Sequence, residues 1–121
     1  MIRISKTFDF SAAHRLEFLN DGHKCKRLHG HNYKAELIYE GEEDEFGMLI
    51  DFSVIADVWN GACFGHLDHR YLNDVPGLKY PTSETIARWI FGRCQIPAAR
   101  LVMVRLYESA SSYAEYSERA P

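Results

Sequence analysis

Polar and apolar residues alternate from the start of the chain. In MIRISKTFDFSAAH the even positions Ile2, Ile4, Phe8, Phe10 and Ala12 are apolar, while Arg3, Ser5, Thr7, Asp9 and Ser11 between them are polar. A period of two sends the two sets to opposite sides of a strand, so the segment predicts a strand with one buried face, and His14 continues the apolar side. A polar connection, LEFLNDGHK, leads to a second alternation. There His29, His31, Tyr33, Ala35, Leu37 and Tyr39 share one side, and Gly30, Asn32, Lys34, Glu36, Ile38 and Glu40 share the other. On both strands the histidines fall on the apolar side.

The period then changes. After GMLIDF, the stretch SVIADVWNGACFGH carries Val54, Ile55, Val58, Trp59, Ala62 and Cys63 at helical spacing, with Asp51 or Ser53 placed to cap. LDHRYLNDVPGLKYP has the Asn, Asp, Pro and Gly content of a loop. TSETIARWIFGRC predicts a second helix, capped by Thr82 or Ser83, with Ile86, Trp89 and Ile90 as its inner stripe. Two strands, RLVMVRLYES and SSYAEYSE, follow. The order ββααββ predicts an α+β fold: a four-stranded antiparallel sheet with two helices on one face. With no internal repeat, low-complexity tract or flexible linker, residues 1–121 read as one domain.

Composition narrows the function classes. A 46% hydrophobic content supports a packed core and argues against disorder. The net charge of −3 provides no overall basic field, which disfavours a nucleic-acid binder and means that any anion site is local. No run approaches the ~18 apolar residues of a spanning helix, and the N-terminal segment alternates where a signal sequence would be basic and then apolar. The expectation is a soluble, cytoplasmic protein with no membrane partner. Cys25, Cys63 and Cys94 are odd in number and lack a C-x-x-C pair, so free thiols are expected, with Cys63 and Cys94 as core fillers.

Candidate chemistry concentrates in CKRLHGHNY. His29 and His31, two apart on a strand, leave the same face, and His14 leaves the matching face of the first strand; the three converge if these strands pair. Three neutral imidazoles with an open fourth position form a catalytic zinc arrangement, whereas structural sites close the shell with a fourth protein ligand, often Cys. An H-x-H pair alone is a weak signal. The in-phase third histidine and the nearby Cys25 strengthen it. Cys25 is either a fourth ligand or a free thiolate acting as nucleophile or base beside Lys24, Lys26 and Arg27. Those cations are either a phosphate site or a solvated loop. Asp68 beside His69 is either a proton relay or a chance neighbour in a loop. Glu108, in phase with Val102, Val104 and Leu106, is either a part-buried carboxylate that requires a partner or a strand-end group in solvent.

The set FSAAHRL, GHKCKRLHGHNY, IDFSVI, LDHRYLND, PTSETIARWI and VRLYES resembles the 6-pyruvoyl-tetrahydropterin synthase superfamily, in consistent order from about Phe8 to Glu108. The C-x-x-x-H-G-H spacing resembles its bacterial 6-carboxy-5,6,7,8-tetrahydropterin synthase branch, of queuosine biosynthesis. The resemblance implies that His14, His29 and His31 hold Zn²⁺, that Cys25 is the proton-abstracting base, and that Asp68 and His69 form the relay. It implies that Glu108 anchors a pterin and is placed to join that relay, with Thr82 and Ser83 lining the pocket. It further implies the tunnelling fold and a homohexamer, a dimer of trimers with active sites at subunit interfaces. The substrate implied is 7,8-dihydroneopterin triphosphate, which carries several negative charges; Lys24 and Arg27 form the cationic run available to meet it. Three rival readings are a 6-pyruvoyl-tetrahydropterin synthase, a non-catalytic module with a His₃Cys zinc shell completed by Cys25, and a nucleic-acid binder using Lys24 to Arg27.

Overall fold

A computed structural model describes residues 1–119. Strands β1 (Ile2–His14) and β2 (His29–Gly41) precede a helical layer, and β3 (Arg100–Ser109) and β4 (Ser112–Tyr116) follow it. The four strands form one antiparallel sheet in the order β1-β2-β3-β4. The apolar alternation decides which face packs. Phe10, Ala12, Tyr33, Ala35, Leu37 and Tyr39 are buried beneath the helices, while the intervening residues turn outward.

The first expected helix begins as α1 (Phe52–Trp59), capped by the Asp51 carboxylate, which accepts the Ser53 N–H at 2.8 Å. It continues without interruption through a π-helical stretch, Asn60–Phe64, into a last turn, α2 (Gly65–Leu67). The buried positions Ile55, Trp59, Cys63 and Leu67 are spaced by four. Four residues of α-helix turn ~400°, so such a row drifts off the core face. The wider π turn takes up part of that drift and keeps all four inward. Val54, counted in the apolar repeat, is exposed.

Helix α3 (Ser83–Arg93) is capped by Thr82, whose hydroxyl oxygen accepts the Thr85 N–H at 3.2 Å. Ser83, Ile86, Ala87, Ile90 and Phe91 form its buried side. Trp89, expected in the inner stripe, is only half-buried. Its indole N–H donates to the Pro76 carbonyl at 3.0 Å and its ring lies under Arg93, so the polar edge finds a partner at the rim of the core. Trp59 carries the centre of the layer, stacked on Phe8 with centroids 5.0 Å apart.

Two features of the sheet position the candidate site. The β1–β2 register pairs His14 with His29 and Ala12 with His31. In β3, the register against β4 shifts between Tyr107 and Ser109, which leaves Glu108 as the extra residue of a bulge. Bulges redirect side chains, and this one lies at the strand end beside the histidines.

Candidate metal centre

The β1–β2 pairing brings the three imidazoles together edge-on, with ring centroids 4.5 Å (His14–His29), 5.1 Å (His14–His31) and 5.0 Å (His29–His31) apart. Backbone carbonyls set the tautomers of two of them. His14 Nδ1 lies 2.7 Å from the Pro81 oxygen, and His29 Nδ1 lies 2.7 Å from the Arg27 oxygen. A carbonyl can only accept, so each Nδ1 carries a proton, and in the neutral ring each Nε2 keeps its lone pair. These two Nε2 atoms are 2.9 Å apart. Lone pairs facing at that distance repel unless a proton or a cation lies between them.

The third ring points to a cation. His31 Nε2 is buried without a hydrogen bond, although Glu108 Oε1 is only 2.7 Å away. The same oxygen lies 3.7 Å from His14 Nε2, and one donor atom from each of His14, His29, His31 and Glu108 lies within 4.8 Å of the others. Burial lowers the pKa of His14, and the neighbouring His29 and His31 add to the effect against the Pro81 hydrogen bond and the Glu108 carboxylate. Burial lowers that of His31 too, against the attraction of Glu108. Both therefore favour the neutral imidazole, the form that binds metal. Three imidazole nitrogens, with backbone carbonyls on the far side of two of the rings and a nearby carboxylate, fit Zn²⁺.

The start of α3 braces this group. Pro81 holds His14, Thr82 commits its hydroxyl to the helix cap, and Ser83 Oγ donates to Glu108 Oε2 at 2.8 Å, turning the other carboxylate oxygen toward the imidazoles. Glu108 thus has partners, which answers the question its phase raised. Neither the Pro81 carbonyl nor the bulge at Glu108 is legible in the pattern of residues. The PTS run before the helix is the only trace of the first, and bulges leave no periodic signal.

The other candidate residues are not among these four donors. Cys25 is half-buried on a short 3₁₀ turn, Lys24–Lys26; its N–H donates to His23 Nδ1 at 3.0 Å and its carbonyl accepts the Leu16 N–H at 3.0 Å. It is not one of the four grouped donors. Lys24 and Arg27 are exposed, while Lys26 pairs with Asp21.

Asp68 and His69 sit on the outer edge of β1. Asp68 Oδ1 accepts the Ser11 N–H at 3.0 Å and Oδ2 accepts the His69 Nδ1–H at 2.8 Å. His69 holds a left-handed backbone, φ 59°, and its N–H donates to the Ser11 oxygen at 2.6 Å. Together with the Ala13 to Arg70 backbone bond of 3.0 Å, these contacts hold a non-glycine residue in a costly conformation. The imidazole projects into solvent with Nε2 unengaged. A cleft of about 490 Å³ has both His31 and His69 in its lining.

The 6-pyruvoyl tetrahydropterin synthase family profile matches residues 3–119. The chain belongs to that family. Among its relatives, the 6-carboxy-5,6,7,8-tetrahydropterin synthase of Synechocystis sp. is 40% identical over 93% of this chain and 91% of that protein. The Haemophilus influenzae protein of the same name is 32% identical over 98% and 100%. The solved 6-pyruvoyl tetrahydropterin synthase of Caenorhabditis elegans superposes with a TM-score of 0.85 at 27% identity, covering 98% of this chain and 96% of that one. The family match accounts for the order of the motifs along the chain, and the fold agrees with that of its solved members.

The Asp68 contacts generate a pH prediction. The Ser11 N–H, and next the His69 hydrogen bond, hold the Asp68 carboxyl below its usual range. A depressed folded-state pKa stabilises the fold fully above the unfolded value of about 3.9, and that contribution is lost as pH falls through the folded pKa. Asp68→Asn is therefore expected to lower the melting temperature near neutral pH, with the gap to the parent protein closing below about pH 4. Thermal melts across pH check this, and a gap unchanged down to about pH 3 contradicts it.

Proposed function

We propose that the protein is a zinc-dependent lyase that converts 7,8-dihydroneopterin triphosphate to 6-carboxy-5,6,7,8-tetrahydropterin, releasing acetaldehyde and triphosphate, in queuosine (7-deazapurine) biosynthesis. The observation that carries this reading is the convergence of His14, His29 and His31, with the Nδ1 atoms of His14 and His29 tied back to backbone carbonyls. The names of the Synechocystis and Haemophilus relatives support the reaction. In such a site a zinc ion supplies Lewis acidity, which acidifies a substrate hydroxyl and stabilises developing alkoxide or enolate charge.

The chain's own residues do the rest. His14, His29 and His31 would hold the ion as neutral ligands. Cys25, as thiolate, removes a proton from the substrate side chain. Asp68 keeps the proton on Nδ1 of His69, so that Nε2 is the atom that gives or takes one. Glu108, oriented by Ser83, accepts N–H donors of the pterin in charge-assisted hydrogen bonds, and Thr82 contributes to the same wall. Lys24 and Arg27 draw the triphosphate to a chain whose net charge is −3.

The Asp68–His69 pair sits on the edge of β1 with its imidazole turned to solvent, which fits sites completed between subunits of a homohexamer, a dimer of trimers. The outer edges of β4 and of β1 ahead of Ser11, which pair with no further strand among the described residues, support closure of neighbouring sheets into a barrel. Among the described residues no helix is long and apolar enough to cross a membrane, and we place the reaction in the cytoplasm.

A second reading, triphosphate elimination to a 6-pyruvoyl product, is favoured by the similarity to the nematode structure. The Cys25-to-His29 spacing favours the carboxy-forming reaction. The non-catalytic His₃Cys module is disfavoured, because the donor that joins the histidines is Glu108.

Product mass separates the two enzymes. Incubation with 7,8-dihydroneopterin triphosphate is expected to yield 6-carboxy-tetrahydropterin and trappable acetaldehyde; a product that retains every side-chain carbon would instead establish the pyruvoyl reaction. Cys25→Ala is expected to keep its zinc while turnover falls by roughly 10² or more, the scale for losing an acid–base group. Metal analysis beside the kinetics checks this, and loss of zinc together with the fold would return Cys25 to a ligand role.

A further inference from the structure

The proposed chemistry leaves two thiols unused. Cys63 and Cys94 are fully buried, and their sulfurs lie 3.4 Å apart across the helical layer. Cys63 belongs to the π-helical stretch and Cys94 is the residue that ends α3. Their neighbours already tie these segments together. The Arg93 Nε–H donates to the Ala62 carbonyl at 2.7 Å, and the Tyr39 hydroxyl donates to the Cys94 carbonyl at 2.6 Å. The sulfurs need to approach by only about 1.4 Å to reach the ~2.05 Å of a disulfide. The backbone two residues before each cysteine runs at the surface through Gly61 and Gly92, where a Cβ would meet nothing within 4 Å, so both segments have room to shift.

We propose that Cys63 and Cys94 are a latent disulfide, closed by peroxide, that locks the end of the π-helical segment to the end of α3. The step balances. One sulfur attacks a peroxide oxygen, the O–O bond breaks, water leaves and a sulfenic acid forms. The second sulfur attacks that sulfur, the S–O bond breaks, a second water leaves and the S–S bond forms. The two thiols together lose two electrons, and one hydrogen peroxide is reduced to two waters. The contact with Cys63, together with burial, pushes the Cys94 thiol pKa far up, so thiolate is scarce and oxidation waits on local opening of the layer.

The lock is remote from the metal centre. Tyr39, which holds Cys94, lies eight residues along β2 from His31, roughly 26 Å at about 3.3 Å per residue. It therefore stiffens the helical layer and leaves the imidazoles where they are. Cys25, on its half-buried turn, is a separate target for the same oxidant.

The test uses the full chain, treated with hydrogen peroxide, alkylated and digested with trypsin without reduction. The expected species joins the peptide Ala35–Arg70 to the peptide Cys94–Arg100 with a mass about 2 Da below the sum of the reduced pair. The melting temperature of the oxidised protein is expected to rise on the order of 10 °C, the increase expected for closing a loop of this length, and to fall back with dithiothreitol. Cys63→Ala and Cys94→Ala should each abolish the rise. Recovery of both core cysteines as alkylated thiols once Cys25 is oxidised would overturn the proposal. So would a cross-link that includes Cys25, or one that forms only in denaturant.

Discussion

The pairing register of β1 with β2 is the constraint on which the site depends. His14 lies opposite His29, and Ala12 lies opposite His31, so all three imidazoles enter one pocket on the core side of the sheet. A slip of one residue would turn every side chain of one strand to the other face, exposing Phe10 and dispersing the histidines together. The apolar contacts that bury Phe10, Tyr33 and Leu37 therefore also hold the arrangement of the histidines. Core and site are specified by one alternation.

Burial of imidazoles has a cost that the loops offset. Removed from water, a histidine resists protonation, and its ring nitrogens still require partners. Arg27, just before β2, and Pro81, just before α3, each present a carbonyl to an Nδ1–H. Each leaves an unprotonated Nε2 directed inward. The start of α3 contributes twice, through Pro81 to His14 and through Ser83 to Glu108, so the helix that covers the sheet also orients the two ends of the donor group.

The periodicities made much of this readable. Period two fixed both histidine strands and their buried side, and helical spacing with a polar cap located α1 and α3. The caps settled on Asp51 and Thr82, each one of two candidates. What the pattern could not convey was non-local or irregular. The bulge at Glu108 changes direction without changing composition. The Pro81 carbonyl belongs to the backbone, which no side-chain motif records. Trp89 has helical phase but a polar edge, and Pro76 drew it to the rim. Asp68 and His69 were legible as a pair, yet their position on the edge of β1 follows from backbone bonds to Ser11 that only the fold reveals.

X-ray absorption at the zinc edge of the zinc-loaded protein reports whether His14, His29 and His31 share one metal ion. Three-histidine ligation predicts light N/O scatterers near 2.0–2.1 Å and, farther out, scattering from three imidazole rings. A shell dominated by sulfur near 2.3 Å, or scattering from fewer than three imidazoles, would contradict it.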